Sequence, residues 1–175
     1  MFKKIVIAVV VVIAGLLAFA AMQPDSFRVE RTAILKAPPD KVYALINDFH
    51  RWGEWSPWEK LDPTMKRTFS GPVAGPGAVY EWSGSDKVGA GRMEITQTTP
   101  ASRVAIKLDF IKPFEGHNLT EFVLEPQGDS TQVRWTMAGP APFISKLMGV
   151  FVSMDKMIGK DFEAGLANMQ AASEK

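Results

Sequence analysis

The chain has 175 residues, is 46% hydrophobic and 22% charged, and carries a formal net charge of +1. This is the balance of a globular protein and excludes a disordered or fibrous one. The lack of cysteine excludes disulfides and lipidation on cysteine and argues against a structural zinc site.

After Lys3 and Lys4, residues 5–22 hold no charged and no strongly polar side chain. As a helix, these eighteen residues would span about 27 Å at roughly 1.5 Å per residue, close to the hydrocarbon thickness of a bilayer. The run is longer than the usual signal-peptide core of ~7–15 residues, which favours an anchor. Ala18-Phe19-Ala20 resembles a small-x-small cleavage site, which favours a secreted product cut near Ala20. The two lysines are expected to stay cytoplasmic, so the remainder would lie on the periplasmic or extracellular side. The expected division is 1–23 as anchor or signal segment and 24–175 as one domain. That domain carries 18 basic against 19 acidic residues, which gives it no general electrostatic claim on nucleic acid.

Residues 27–36 alternate apolar and polar and predict a strand, stopped by Pro38-Pro39. Pro39 suits a first helical position. Val42, Leu45, Ile46 and Phe49 then follow at i, i+3, i+4 and i+7, which predicts a short amphipathic helix ending near Asp48. Trp52, Trp55 and Trp58 recur every third residue. That period keeps them on one side of a 3₁₀-like turn, and Pro57 opposes a longer helix. Three roles fit such a cluster: a packed plug, a pocket mouth, or a membrane foot.

Strands are predicted at 65–70, 78–83, 91–99, 103–111, 117–125 and 131–138, joined by glycine- and proline-rich turns in an antiparallel meander. Val104, Ile106, Leu108 and Phe110 share one face, as do Val133, Trp135 and Met137. That apolar face has to be covered. The expected cover is one long helix over 143–172, apolar at 3–4 spacing from Ile144 to Met169 and nearly so all round in its first half. Gly149, Gly159 and Gly165 each cost such a helix roughly 0.8–1 kcal/mol, so close packing or a local thinning is expected there.

The proline-led helix with "VYALINDF" (42–49), the Trp52 and Trp55 pair, the strands "TEFVLEP" (120–126) and "TQVRWTM" (131–137) and the closing "DFEAGLANM" (161–169) resemble the START-like superfamily. Within it, "WSPW" (55–58) is similar to the SRPBCC group of polyketide cyclases/dehydrases and lipid transport proteins. The resemblance covers about 27–172. It implies an α+β helix-grip fold, with a curved antiparallel β-sheet of six to seven strands wrapped around a long C-terminal α-helix. It also implies an apolar cavity between the two. The N-terminal transmembrane or signal segment departs from the mostly soluble members.

No motif for a metal, a nucleotide or a covalent nucleophile accompanies this pattern, so no cofactor and no catalytic residue is expected. His50 and Glu54 are a surface pair by expectation. The strand parities of Glu81, Glu94 and His117 are open by one residue. Arg92 and Tyr80 are the types that family cyclases use to position a substrate. The expected cavity lining is Trp55, Tyr80, Trp82, Phe110, His117, Phe122, Trp135, Met148, Phe151 and Met154. The leading expectation is a tethered or exported binding module for a hydrophobic small molecule (a lipid, a quinone or a polyketide-like ring), with the membrane as the other partner. Two alternatives stand beside it. A cyclase/dehydrase-type enzyme needs polar groups converging in the cavity. A protein-interaction module needs a filled interior and an exposed apolar patch. The state of oligomerisation is open.

Overall fold

The computed structural model describes residues 2–151 and 153–174. Helix α1 (Phe2–Ala21) comes first, followed by strand β1 (Ser26–Leu35) and helix α2 (Pro39–Asn47). Two 3₁₀ turns, Phe49–Glu54 and Pro57–Lys60, carry the tryptophans. Six strands follow: β2 (Lys66–Ser70), β3 (Val79–Ser83), β4 (Ala90–Thr99), β5 (Arg103–Lys112), β6 (Gly116–Gln127) and β7 (Ser130–Pro140). The chain closes with α3 (Phe143–Gly149) and α4 (Met154–Ser173).

The seven strands form one antiparallel sheet in the order β1-β7-β6-β5-β4-β3-β2. Strands β2 to β7 are a meander, and β1 joins its last edge, pairing Ser26 with Pro140 and Leu35 with Thr131. Register shifts between Ala90 and Gly91 and between Ile95 and Gln97 interrupt the β4–β5 ladder, and such bulges bend a sheet. Burial alternates along the strands other than β2, which is exposed throughout. Val104, Ile106 and Leu108 point to the core, as do Phe122 and Leu124 and, on β7, Val133 and Trp135. Both α2 and α4 pack on this inner face. The registers also define two ends of the sheet. One end holds the start of β1, the end of β7, the β3–β4 turn and the β5–β6 turn. The β2–β3 turn lies at the opposite end.

The single long helix expected over 143–172 is a correction: the described chain stops one helix at Gly149 and starts another at Met154, with Val152 outside the described residues. The 3–4 apolar spacing runs through the break and hides it. The local signals are a glycine at the end of the first helix and a serine cap on the second. The Ser153 hydroxyl accepts from the Lys156 amide at 3.2 Å, and Asp155 sits in the first turn of α4, the favourable end for a carboxylate.

Two of the three glycines permit close packing. A Cβ at Gly159 would lie 1.9 Å from the Arg31 guanidinium, and one at Gly165 would lie 2.7 Å from the Trp135 ring. The space beside Gly159 lets Arg31, on the inward parity of β1, reach Asp155 and Glu163, each at 2.7 Å. This pair of ion pairs ties α4 along β1. Gly149 has open space around it and belongs to the break.

Candidate functional site

The inner face of the sheet is not filled evenly. At the far end, α2 and the tryptophan turns plug it. Trp55 and Trp52 are buried, and their indole N–H groups donate to the carbonyls of Leu45 and Ile46 at 2.9 and 3.0 Å. Those carbonyls belong to the last turn of α2, where the helix itself supplies no partner. The two indoles therefore cap α2 while filling the core. Trp55 also meets Phe122 and Trp135 edge-on, at 6.0 and 5.6 Å between ring centroids. Such geometry adds to burial rather than merely occupying volume.

Toward the other end a cavity of about 280 Å³ remains between α4, the second tryptophan turn and strands β3 to β7. This is close to the lower edge of the ~300–1,000 Å³ usual for ligand pockets. Its wall is mostly aromatic and aliphatic. Trp58 forms one side and contacts Trp135 and Phe162 edge-on at 5.9 and 6.3 Å. Trp82 forms another, held by its N–H donating to the Val88 carbonyl at 2.9 Å. Gly91 is required beneath it, since a Cβ there would stand 2.3 Å from the Trp82 ring. The exposed lining residues are Asp86 and Lys87 of the β3–β4 turn and Lys112 and Pro113 of the β5–β6 turn, which places the mouth at these two turns.

Few polar groups reach the cavity. The Tyr80 hydroxyl donates to Glu59 Oε1 at 2.5 Å, and Arg67 Nε donates to Glu59 Oε2 at 2.6 Å. Burial first, and then the bond to this carboxylate, push the Tyr80 hydroxyl well above its ordinary range, so it stays protonated. Asp62 anchors the mouth from below. Its carboxylate accepts from the Thr64 hydroxyl at 2.7 Å and from the Ser85 amide at 2.7 Å, and these bonds hold it well below the usual carboxylate range. Thr120 and Trp135 also border the cavity, and Thr120 Oγ1 and Trp135 Nε1 are buried without a hydrogen-bond partner in the protein.

Of the residues expected from sequence to line the cavity, Tyr80, Trp82, Phe110 and Trp135 do. Trp55 and Phe122 do not, being fully buried behind the wall. Met154 packs against the core without bordering the space. His117 is a correction. It lies on the outer face, where its Nδ1 pairs with Asp109 at 2.7 Å, because the inward parity of β6 belongs to Asn118 and Thr120. Glu81 and Glu94 face outward by the same pleat, and Arg92 pairs with Glu94 at 2.7 Å outside the cavity. Met148 and Phe151 are the second correction. The break after Gly149 carries them off the sheet, and both are exposed. Sequence reasoning missed Glu59 and Phe162 and left Trp58 open among plug, pocket mouth and membrane foot. Phe162 stacks on Trp135 with ring centroids 3.9 Å apart, and its place at the apolar spacing of the C-terminal helix was the available signal.

No curated protein matches the chain. Solved structures show the same fold at low identity. A protein of Chromobacterium violaceum superposes with a TM-score of 0.60 at 16% identity, covering 87% of this chain and 99% of that one. A protein of Mesorhizobium loti gives 0.57 at 20%, covering 85% and 96%. The di-domain ARO/CYC StfQ from the steffimycin biosynthetic pathway gives 0.65 at 10% identity, covering 85% of this chain and 51% of StfQ. The family model described as polyketide cyclase/dehydrase and lipid transport matches residues 26–174, all seven strands and both C-terminal helices, and the chain belongs to that family.

Proposed function

We propose that the protein is a membrane-tethered binding module that holds one hydrophobic small molecule, a lipid, quinone or polyketide-like ring, between α4 and the sheet. The observation that carries this is the aromatic-walled cavity of about 280 Å³, whose wall pair Tyr80 and Glu59 is already engaged with Arg67. An apolar pocket with few polar groups binds by excluding water from apolar surface and orients its guest through those few groups. The unpartnered Trp135 N–H favours a guest that carries an oxygen, since a buried donor gains most from finally finding an acceptor.

The N-terminal helix supports tethering. It has the length and composition of a membrane span, and the packing of α1 against α3, with Ala20 buried, favours a retained anchor over a cleaved leader. Lys3 and Lys4 orient the domain to the non-cytoplasmic side. The experiment is organic extraction of the purified full chain followed by mass spectrometry, beside the variant Val88→Trp, which adds bulk at the mouth. The wild-type chain should yield one hydrophobic species in near-stoichiometric amount, and the variant should lose it while keeping the wild-type far-ultraviolet circular dichroism spectrum. Equal yields from both, or detergent alone from the wild type, would refute the reading.

A second reading, acid–base chemistry on a bound ring, is favoured by one observation, the 2.5 Å contact between the Tyr80 phenol and the Glu59 carboxylate at the cavity wall. In that case Tyr80→Phe abolishes turnover of the extracted species and leaves its binding intact.

A further inference from the structure

The end of the sheet that holds the cavity mouth also carries apolar side chains turned outward. On α3, Phe143, Ile144 and Met148 are 48%, 50% and 49% exposed, and Phe151 just beyond it is 71% exposed. At the end of β5 and in the turn after it, where Lys112 and Pro113 line the mouth, Ile111 and Phe114 are 59% and 62% exposed. The charged residue of α3 is turned the other way. Lys146 is nearly covered and ion-paired with Asp25. A short helix with its apolar side out and its lysine in is inverted for a water-facing surface, where contiguous apolar patches are rare.

The position of α1 says what covers this patch. Helix α3 packs against α1, and within α1 only Leu16 and Ala20 are not exposed. The contact therefore falls in the last turns of α1, within about 7–8 Å of its end at ~1.5 Å per residue. Interfacial amphipathic helices bury their apolar side to about 5–10 Å, the same depth. Residues 22–25 alone separate α1 from β1, and even fully extended they reach only about 14 Å. If α1 spans a bilayer, this end of the domain has no room to stand clear of its surface.

We propose that α3, Phe151 and the tip of the β5–β6 turn are seated in the interfacial layer of the bilayer that α1 spans, so that the cavity mouth opens onto lipid rather than water. A hydrophobic guest then exchanges between membrane and cavity without crossing bulk solvent. The inference rests on the reading of α1 as a retained span and is independent of which molecule the cavity holds.

The lack of cysteine makes single-site labelling direct. The full chain bearing Phe151→Cys, labelled with the environment-sensitive fluorophore NBD, is reconstituted into phosphatidylcholine vesicles. Val73→Cys, on the β2–β3 turn at the opposite end and 69% exposed in the parent, serves as the reference. The label at position 151 should emit at shorter wavelength, resist aqueous iodide, and be quenched about twofold or more by lipids with a nitroxide near the headgroup, the depth expected of an interfacial residue. The label at position 73 should show the reverse. Equal iodide quenching at both positions in chains that withstand a carbonate wash would overturn the docking proposal and leave the anchor standing. Loss of the chain to the wash would overturn both. Shielding at position 151 without quenching by nitroxide lipid, and reduced by diluting the protein in the vesicles, would assign the patch to a second copy and likewise overturn it.

Discussion

Replacing Trp55 by alanine tests whether the tryptophan turn is a structural plug or a binding element. Trp55 has no exposed surface, three aromatic neighbours in Trp52, Phe122 and Trp135, and an indole N–H that satisfies the Leu45 carbonyl at 2.9 Å. Truncating a buried aromatic side chain costs about 3–5 kcal/mol. Leaving the Leu45 carbonyl without its donor adds about 1 kcal/mol. A total near 4–6 kcal/mol is a large part of the ~5–15 kcal/mol that holds a typical domain. At about 2–4 °C per kcal/mol for a chain of this size, the melting temperature should fall by roughly 8–24 °C. Near-ultraviolet circular dichroism of the full chain in detergent reads the transition. Trp58→Ala is the comparison. That side chain is only half-buried and stands on the cavity wall, so its loss should cost about 1–2 kcal/mol for the area uncovered and fall mainly on guest retention. A fall of under about 3 °C for Trp55→Ala, or a larger fall for Trp58→Ala, would refute the assignment of plug and wall.

Two further predictions follow from the packing and the electrostatics. A Cβ at Gly165 would press on the Trp135 ring, so Gly165→Ala should destabilise by about 1–3 kcal/mol. Gly149→Ala, with open space around it, should be neutral or stabilising by up to about 1 kcal/mol, and urea melts of the two variants separate the cases. Hydrogen bonds from Thr64 and Ser85 depress the Asp62 carboxyl in the folded state, so its contribution is fully present above the ordinary carboxylate value of about 3.9 and fades as the pH falls toward the depressed one. The stability gap between wild type and Asp62→Asn should therefore be constant from about pH 7 to pH 5 and shrink by pH 3, and a gap independent of pH would contradict the assignment.

Much of this fold was legible in the residue order. Alternation together with the glycine- and proline-rich turn signals placed all seven strands within one or two residues of their observed bounds, because a sheet with one buried face forces apolar and polar residues onto opposite sides of its inner strands. Pro39 and the 3–4 spacing of Val42, Leu45 and Ile46 marked α2 for the same reason, one stripe meeting the core. The run of uncharged residues after Lys4 marked α1 by length alone.

Tertiary contacts decided the rest. Phe143 to Met169 keep helical spacing on both sides of the break, so periodicity could not say that α3 leaves the sheet to meet α1 while α4 stays on it. That choice turned Met148 and Phe151 outward, away from the cavity to which apolarity alone would assign them. The pleat of β6 turned His117 out, since a one-residue difference in parity exchanges the two faces and nothing local pins it. Three tryptophans at equal spacing took different roles because their partners lie far along the chain. Trp52 and Trp55 close the last turn of α2, and Trp58 faces Trp135 and Phe162 across the cavity. A side chain's type and period are local properties, and what stands opposite it is set only when the chain has folded back on itself.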